Sequence, residues 1–172
     1  MSTEPDLEAE VDDRDLRALL ARVPSCVIAV TARVDDRPVV MVVSSFVGIS
    51  LAPALVGFCA QATSTTWPLI KRADSIGLSV LAEQHKNDVR TMAARSGDRL
   101  AGMETFAVAD GTPFISGATA WLQTDLLSET LLGDHAFAVL SVRGLRVGAN
   151  GPLVFHEGTF KGCAGLVAHS AG

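Results

Sequence analysis

The feature that most limits the possible folds is a series of apolar, β-branched runs joined by connections of only a few residues. Parallel strands need a crossover of about a dozen residues or more, so most of these runs can pair only with antiparallel neighbours. The predicted strands cover residues 25–33, 37–43, 47–51, 54–60, 75–82, 118–127, 136–147 and 152–156. The pattern therefore predicts a mainly β chain, an antiparallel barrel with peripheral helices.

Three helices are predicted around these strands. The first begins at Asp12 or Asp13 and ends before Pro24, and apolar residues recur along one of its faces from Leu16 to Val23. That face is expected to pack on the sheet. The other two helices cover residues 67–73 and 83–96, and the segment 128–135 is expected to be a loop.

Composition sets limits on domain organisation. The chain has 172 residues, of which 48% are hydrophobic, and this suits one domain with a sizeable core. We expect a flexible acidic tail at residues 1–11, a single domain at 12–161 and a loose tail at 162–172.

Charge and residue usage exclude several classes of function. With a net charge of −5 and no basic stripe, the chain is not expected to bind nucleic acid. No apolar run reaches the roughly 20 residues that span a bilayer, and the N-terminus lacks the features of a secretory signal. Three separate cysteines suggest no disulfide framework, which predicts a cytoplasmic location. Four scattered histidines show no metal-ligand spacing, so no metal site is predicted.

Two of the apolar runs end in clusters of hydroxyl side chains, Ser44-Ser45 and Thr63-Ser64-Thr65-Thr66. The second cluster precedes the predicted helix at 67–73, and the first N–H groups and the dipole of a helix favour an anion such as phosphate. Ser and Thr also cap helices and form turns without any ligand, and this alternative stays open. Neither a Gly-rich dinucleotide fingerprint nor a P-loop occurs, and no nucleophile elbow is present.

Five segments, in order, resemble the flavin reductase components of two-component flavin-dependent monooxygenases: VPSCVIAVTA, VVSSFVGISLAPALVGFCAQATSTTWPLI, SVLAEQH, RSGDRLAG and GDHAFAVLSV. The resemblance is greatest to reductases that serve monooxygenases of aromatic polyketide pathways. It implies a flavin-binding split β-barrel at residues 12–161 that forms a homodimer. It also implies an enzyme, an NAD(P)H:flavin oxidoreductase that reduces FMN or FAD with NADH or NADPH and supplies the reduced flavin to a partner monooxygenase.

The resemblance assigns roles to twelve residues of this chain. Ser44 and Ser45 would line the ribityl chain and ring edge beside Val42 and Val43. Backbone at Cys59, Ala60 and Gln61 would follow the ring. Hydroxyls of Thr63, Ser64 and Thr66 would hold the phosphate, with Arg99 as a further partner, and His135 would act near the nicotinamide. On the residues alone, His135 can equally be a loop histidine, and Arg99 and Lys71 can be solvated surface cations.

Three segments depart from the family pattern. Val42 stands where relatives often carry a hydroxyl, neutral Ala62 and Thr65 stand where they often carry a cation, and acidic Glu157 replaces a cation near the end of the domain. Each change removes a partner for an anionic cofactor. Two alternatives therefore remain at this level: an enzyme that binds a polycyclic aromatic in the same pocket, with retained flavin or none, and a non-enzymatic flavin carrier or oxygenase-docking subunit.

Overall fold

The computed structural model describes residues 11–163, and strands dominate this part of the chain. Most of the tail predicted at residues 1–11 and most of the one at 162–172 lie outside the described residues. The strands are β1 (Ser25–Cys26), β2 (Ile28–Val34), β3 (Arg37–Val43), β4 (Val47–Leu51), β5 (Ala54–Gln61), β6 (Ile76–Val80), β7 (Thr105–Ala107), β8 (Pro113–Ile115), β9 (Ala120–Leu132), β10 (His135–Val147), β11 (Leu153–His156) and β12 (Thr159–Gly162).

Seven of these strands form the main sheet, in the order β3-β2-β6-β9-β10-β5-β4. Every neighbouring pair in it is antiparallel. Two small sheets, β1-β11-β12 and β7-β8, lie beside it. The predicted fold class, mainly β with antiparallel pairing, is confirmed.

The main sheet curls so that the end of β3 approaches β5. Ser45, just after β3, hydrogen-bonds to the backbone of Cys59 on β5, although these two strands are not neighbours in the sheet. One apolar cluster, which includes Phe58, Ile28 and Leu140, fills the interior of the curled sheet. A second cluster, which includes Leu81 and Met92, packs on its other face. The strand β2 contributes to both clusters, which accounts for its apolar sequence.

The first helix, α1 (Asp13–Leu20), begins where the sequence predicts, because the Asp12 carboxylate accepts a hydrogen bond from the backbone N–H of Asp15 at 2.7 Å. The predicted packing of its apolar face is wrong, since no residue of α1 is buried and Leu19 is 63% exposed. The strands already cover the core, and the end of α1 is held by a backbone bond from the Glu157 N–H to the Ala21 carbonyl.

The other helices are shorter than predicted. The helix α2 covers only Trp67–Ile70, and the predicted helix at 83–96 is a 3₁₀ helix at Glu83–Asn87 followed by α3 (Val89–Met92). The 3₁₀ turn contains the buried imidazole of His85, which accepts from the Ala82 N–H at 3.0 Å through Nδ1 and lies 2.9 Å from the Ser116 carbonyl through Nε2. These two contacts fix the tighter 3₁₀ turn.

The segment 128–135 was predicted as a loop, and this is wrong. It forms the end of β9 and the start of β10, joined by a tight turn in which Gly133 has a φ of 60°. Its polar residues are exposed strand positions, which the sequence pattern did not separate from loop residues. None of the helices in residues 11–163 combines the length and hydropathy needed to cross a bilayer.

Candidate functional site

A cavity of about 710 Å³, here called the cleft, opens where the end of β3 approaches the end of β5. Its lining comes from β3, β5 and the turn after it, the loop after α3, and the start of β10. All twelve residues predicted to bind flavin or act on it line the cleft: Val42, Val43, Ser44, Ser45, Cys59, Ala60, Gln61, Thr63, Ser64, Thr66, Arg99 and His135. The fold thus brings residues from separate segments into one site.

The two serines after β3 differ in what their hydroxyls do. Ser45 Oγ donates to the Cys59 carbonyl at 3.0 Å and accepts from the Cys59 N–H at 2.8 Å. Ser45 therefore holds the two walls of the cleft together and keeps little bonding capacity for a ligand. The described residues give the exposed hydroxyl of Ser44 no partner, so it is available to one.

The hydroxyl turn after β5 is also partly occupied by the fold. Ser64 Oγ accepts from the backbone N–H groups of Thr66 at 3.3 Å and Trp67 at 3.1 Å, so it caps the start of α2. The helix has only four residues, so its dipole adds little for an anion. The helix dipole therefore contributes little here, and phosphate binding at this turn stays a prediction. Within the described residues, the N–H groups of Thr63 and Thr65 have no acceptor, and they remain as donors to a bound anion.

Arg99 supplies a cation to this turn. Its Nη1 atom donates to Thr66 Oγ1 at 2.6 Å and to the Val40 carbonyl at 3.2 Å, and Nη2 donates to the Arg95 carbonyl at 3.3 Å. All three acceptors are neutral, and no carboxylate of the described residues pairs with Arg99 or Arg95. Two uncompensated guanidinium groups thus line the cleft of an acidic protein.

The same bond prepares the hydroxyl of Thr66 for an anion. Thr66 is buried, and its oxygen already accepts a hydrogen bond from Arg99. Among the described residues its hydroxyl proton has no acceptor, so it is ready to be donated to a phosphate oxygen. Arg99 and Thr66 together therefore form a donor set that fits the phosphate of a flavin nucleotide.

His135 begins β10 and lies opposite Gln61 in the strand register. Its Nδ1 atom is 2.7 Å from a carboxylate oxygen of Asp134, so Nδ1 carries a proton and donates it. This hydrogen bond lowers the pKa of the Asp134 carboxyl. The Asp134 carbonyl also accepts from the Ala62 N–H at 2.9 Å, which ties the β9–β10 turn to the hydroxyl turn. The Nε2 atom of His135 is left for a ligand in the cleft.

The comparisons with known proteins agree with this geometry. Residues 20–164 match the family model described as flavin reductase like domain. This chain belongs to the flavin reductase family. The predicted family and its type of enzyme, a flavin reductase, are thereby confirmed.

The relatives have consistent names. A flavin reductase of Pseudomonas putida is 35% identical over 162 residues, which are 93% of this chain and 95% of that protein. The HsaB reductase subunit of a flavin-dependent monooxygenase of Rhodococcus jostii is 31% identical, over 88% of this chain and 78% of that protein. The solved structure of the NADH:FAD oxidoreductase SgcE6 of Streptomyces globisporus, in complex with NAD and FAD fragments, is similar with a TM-score of 0.84 and 26% identity, over 92% of this chain and 99% of that one.

Sequence reasoning missed part of the cleft of this family member. The additional lining residues are Met41, Thr65, Met92, Ala93, Ala94 and Arg95. Four of them, Met92 to Arg95, lie at the end of α3 or directly after it, within the longer helix predicted at 83–96. The available signal was Arg95 itself, because it begins the matching segment RSGDRLAG.

The structure also shows how the departures from the family pattern affect the charge of the cleft. Arg95 and Arg99 provide the positive charge that Ala62 and Thr65 lack. Glu157 does not line the cleft, and its carboxylate lies 3.5 Å from Arg22. Lys71 does not line the cleft either, because its Nζ atom pairs with Glu129 at 2.9 Å.

Proposed function

We propose that this chain is an NAD(P)H:flavin oxidoreductase that binds FMN or FAD in the cleft and supplies the reduced flavin to a partner monooxygenase. The observation that carries the proposal is the cleft itself, where arginines without carboxylate partners, free hydroxyls and apolar side chains occur together. Its volume of about 710 Å³ lies within the range of roughly 300–1,000 Å³ typical of small-molecule sites. The flavin supplies the hydride chemistry when bound, so the protein needs no acid–base pair of its own.

Each wall of the cleft has a distinct task in this proposal. The residues Val42, Val43, Cys59 and Ala60 form the wall that faces the flat ring in this proposal, and their side chains are apolar. This wall excludes water from one side of the ring. Ser44 is available to the ribityl hydroxyls, and Ser45 keeps β3 and β5 at a fixed separation through its two bonds to Cys59.

The opposite end holds the phosphate and orients the nicotinamide. Thr63, Thr66 and Arg99 donate to the phosphate oxygens, while Arg95 adds a second positive charge nearby. His135, fixed by Asp134, orients the nicotinamide through Nε2. Holding both partners in a reactive geometry is the main contribution that a protein can make to this transfer.

We also propose that the functional unit is a homodimer. Support comes from the apolar face of α1 and from the edge strand β4, where Leu19 is 63% and Leu51 is 97% exposed. Unpaired edge strands and contiguous apolar surfaces are typical of interfaces. A second copy of the chain covers both in this proposal. Analytical ultracentrifugation should give about twice the chain mass of 18.0 kDa, and a monomer at micromolar concentration would contradict it.

The central experiment is a titration of the purified protein with FMN and FAD, with NADH and NADPH consumption measured in the same samples. We expect binding of at least one flavin and flavin-dependent oxidation of the nicotinamide nucleotide. His135→Asn is expected to lower kcat/KM for NADH roughly tenfold through lost orientation, with flavin affinity within about twofold of wild type. His156→Asn is the matched control, because His156 does not line the cleft. No stimulation by either flavin would refute the proposed activity.

The aromatic polyketide setting and the cytoplasmic location stay predictions. For the first, reduced flavin produced by this chain should support a neighbouring aromatic oxygenase in a coupled assay. A thermal-shift screen with aromatic polyketides in place of flavin tests the alternative of a flavin-independent enzyme. Stabilisation by an aromatic, with none by flavins, would favour that alternative.

A further inference from the structure

A second cavity, of about 770 Å³, lies directly beside the cleft. Thr65, Thr66 and Arg99 line both cavities, and we call these three residues the shared wall. Beyond the shared wall, the second cavity is bounded by the start of β3, by α2 and by the loop that follows Gly97. The end of the cleft assigned to the flavin phosphate is therefore also the border of a second space of similar size.

The second cavity has an apolar part that suits a flat base. Val39, Leu69, Leu100 and Met103 line it. Leu69 is 41% exposed because it lines this open cavity and does not pack in the core. Apolar side chains around a planar group are the usual lining of a nucleotide-base pocket.

The polar groups of the second cavity suit a ribose phosphate. Asp98 Oδ1 accepts from the Leu100 N–H at 3.0 Å, which holds the carboxylate in place and leaves its other oxygen for ribose hydroxyls. Arg37 lines this cavity and not the cleft. The described residues provide no carboxylate partner for Arg37 or for Arg99 in the shared wall. Two uncompensated cations are thus available to a chain of two phosphates.

We propose that the second cavity is a subsite for an adenosine 5′-phosphate group. FAD then extends across the shared wall, with its flavin mononucleotide half in the cleft and its adenylate half in the second cavity. FMN occupies only the cleft and leaves the second cavity empty, so the enzyme prefers FAD. This inference rests on the proposed function, and an adenylate group is also present in NADH, which is the other source of the same chemistry.

Equilibrium titrations followed by flavin fluorescence test the subsite without turnover. We expect FAD to bind about tenfold more tightly than FMN, since one charge-assisted contact accounts for a change of this size. Arg37→Glu should weaken FAD about tenfold and FMN less than twofold, and Arg37→Lys should retain most of the preference. Arg72→Glu is the control, because it makes the same change of charge at an exposed residue that lines neither cavity. AMP should compete with FAD and leave bound FMN in place.

A second measurement separates the two sources of the adenylate group. KM for NADH is determined at saturating FMN for wild type and Arg37→Glu. A rise of about tenfold in KM, with unchanged FAD affinity, would assign the second cavity to the adenylate group of NADH and overturn its assignment to FAD. Unchanged affinities for FAD, FMN and NADH in a folded Arg37→Glu protein would overturn the proposal. Loss of all flavin-dependent NADH oxidation in wild type would instead refute the proposed function, whatever the titrations show.

Discussion

On the residues alone, Lys71 and Arg99 can both be solvated surface cations, but their surroundings in the fold make them different. Lys71 pairs with Glu129 at 2.9 Å, and the same carboxylate accepts from Trp67 Nε1 at 2.5 Å. Arg99 is held only by neutral oxygens and keeps its full positive charge inside the cleft. A cation that binds an anionic ligand is therefore recognised by having only neutral acceptors within the fold, since a carboxylate partner would compete with the ligand.

The most direct test of the difference between Arg99 and Lys71 is to remove each charge in turn. Arg99→Gln should weaken flavin binding by about ten- to a hundredfold, because a charge-assisted bond to phosphate is lost. Lys71→Gln, the matched control, should change flavin affinity less than twofold. Fluorescence titration with the preferred flavin measures both. Equal effects of the two substitutions would show that the charge acts at long range and that Arg99 makes no direct contact.

The same distinction applies to the two serines of the opposite wall. Ser45→Ala removes both bonds to Cys59 and should lower the free energy of unfolding by about 1–2 kcal/mol, with weaker flavin binding as the walls separate. Ser44→Ala should leave stability unchanged and reduce only flavin affinity. Urea unfolding with and without flavin measures the two effects. A larger loss of stability in Ser44→Ala than in Ser45→Ala would contradict the assigned roles.

The smallest expected effect concerns the pairing of Lys71. The hydrogen bond from Lys71 lowers the pKa of the Glu129 carboxyl, and the bond from Trp67 acts in the same direction. Because the pKa in the folded state lies below its ordinary value, the stabilisation is present above that ordinary value. It is lost as the pH falls through the folded-state pKa.

Glu129→Gln should therefore cost at most about 1 kcal/mol at neutral pH, since the pair is partly exposed, and little at a pH below the folded-state pKa of Glu129. Urea unfolding at the two pH values measures the difference. The variant also releases Lys71, and flavin affinity should still be unchanged because Lys71 does not line the cleft. Tighter flavin binding in Glu129→Gln would show that Lys71 reaches the phosphate once it is freed.

The sequence predicted most of the sheet because strand patterns depend on neighbouring residues. Alternating and apolar runs located β2 to β6 within a few residues, and the short connections predicted antiparallel pairing. The predictions failed where distant contacts decide the local structure. His85 fixes a 3₁₀ turn through the Ser116 carbonyl, 31 residues away, and no local pattern contains that partner.

The sequence by itself determined the fold class, the family and twelve of the residues that line the cleft, because residue types and their order carry that information. Only the tertiary structure decided what each of these residues is free to do. Ser45, Ser64 and Lys71 have the right chemistry for a ligand, but the fold uses them for Cys59, the start of α2 and Glu129. Arg99 keeps its positive charge for a ligand because the acceptors that hold it are neutral oxygens. Thr66 keeps its hydroxyl proton because its oxygen accepts a hydrogen bond from Arg99. Hydrogen-bonding capacity is finite, so the bonds made within the fold define those left for the cofactor.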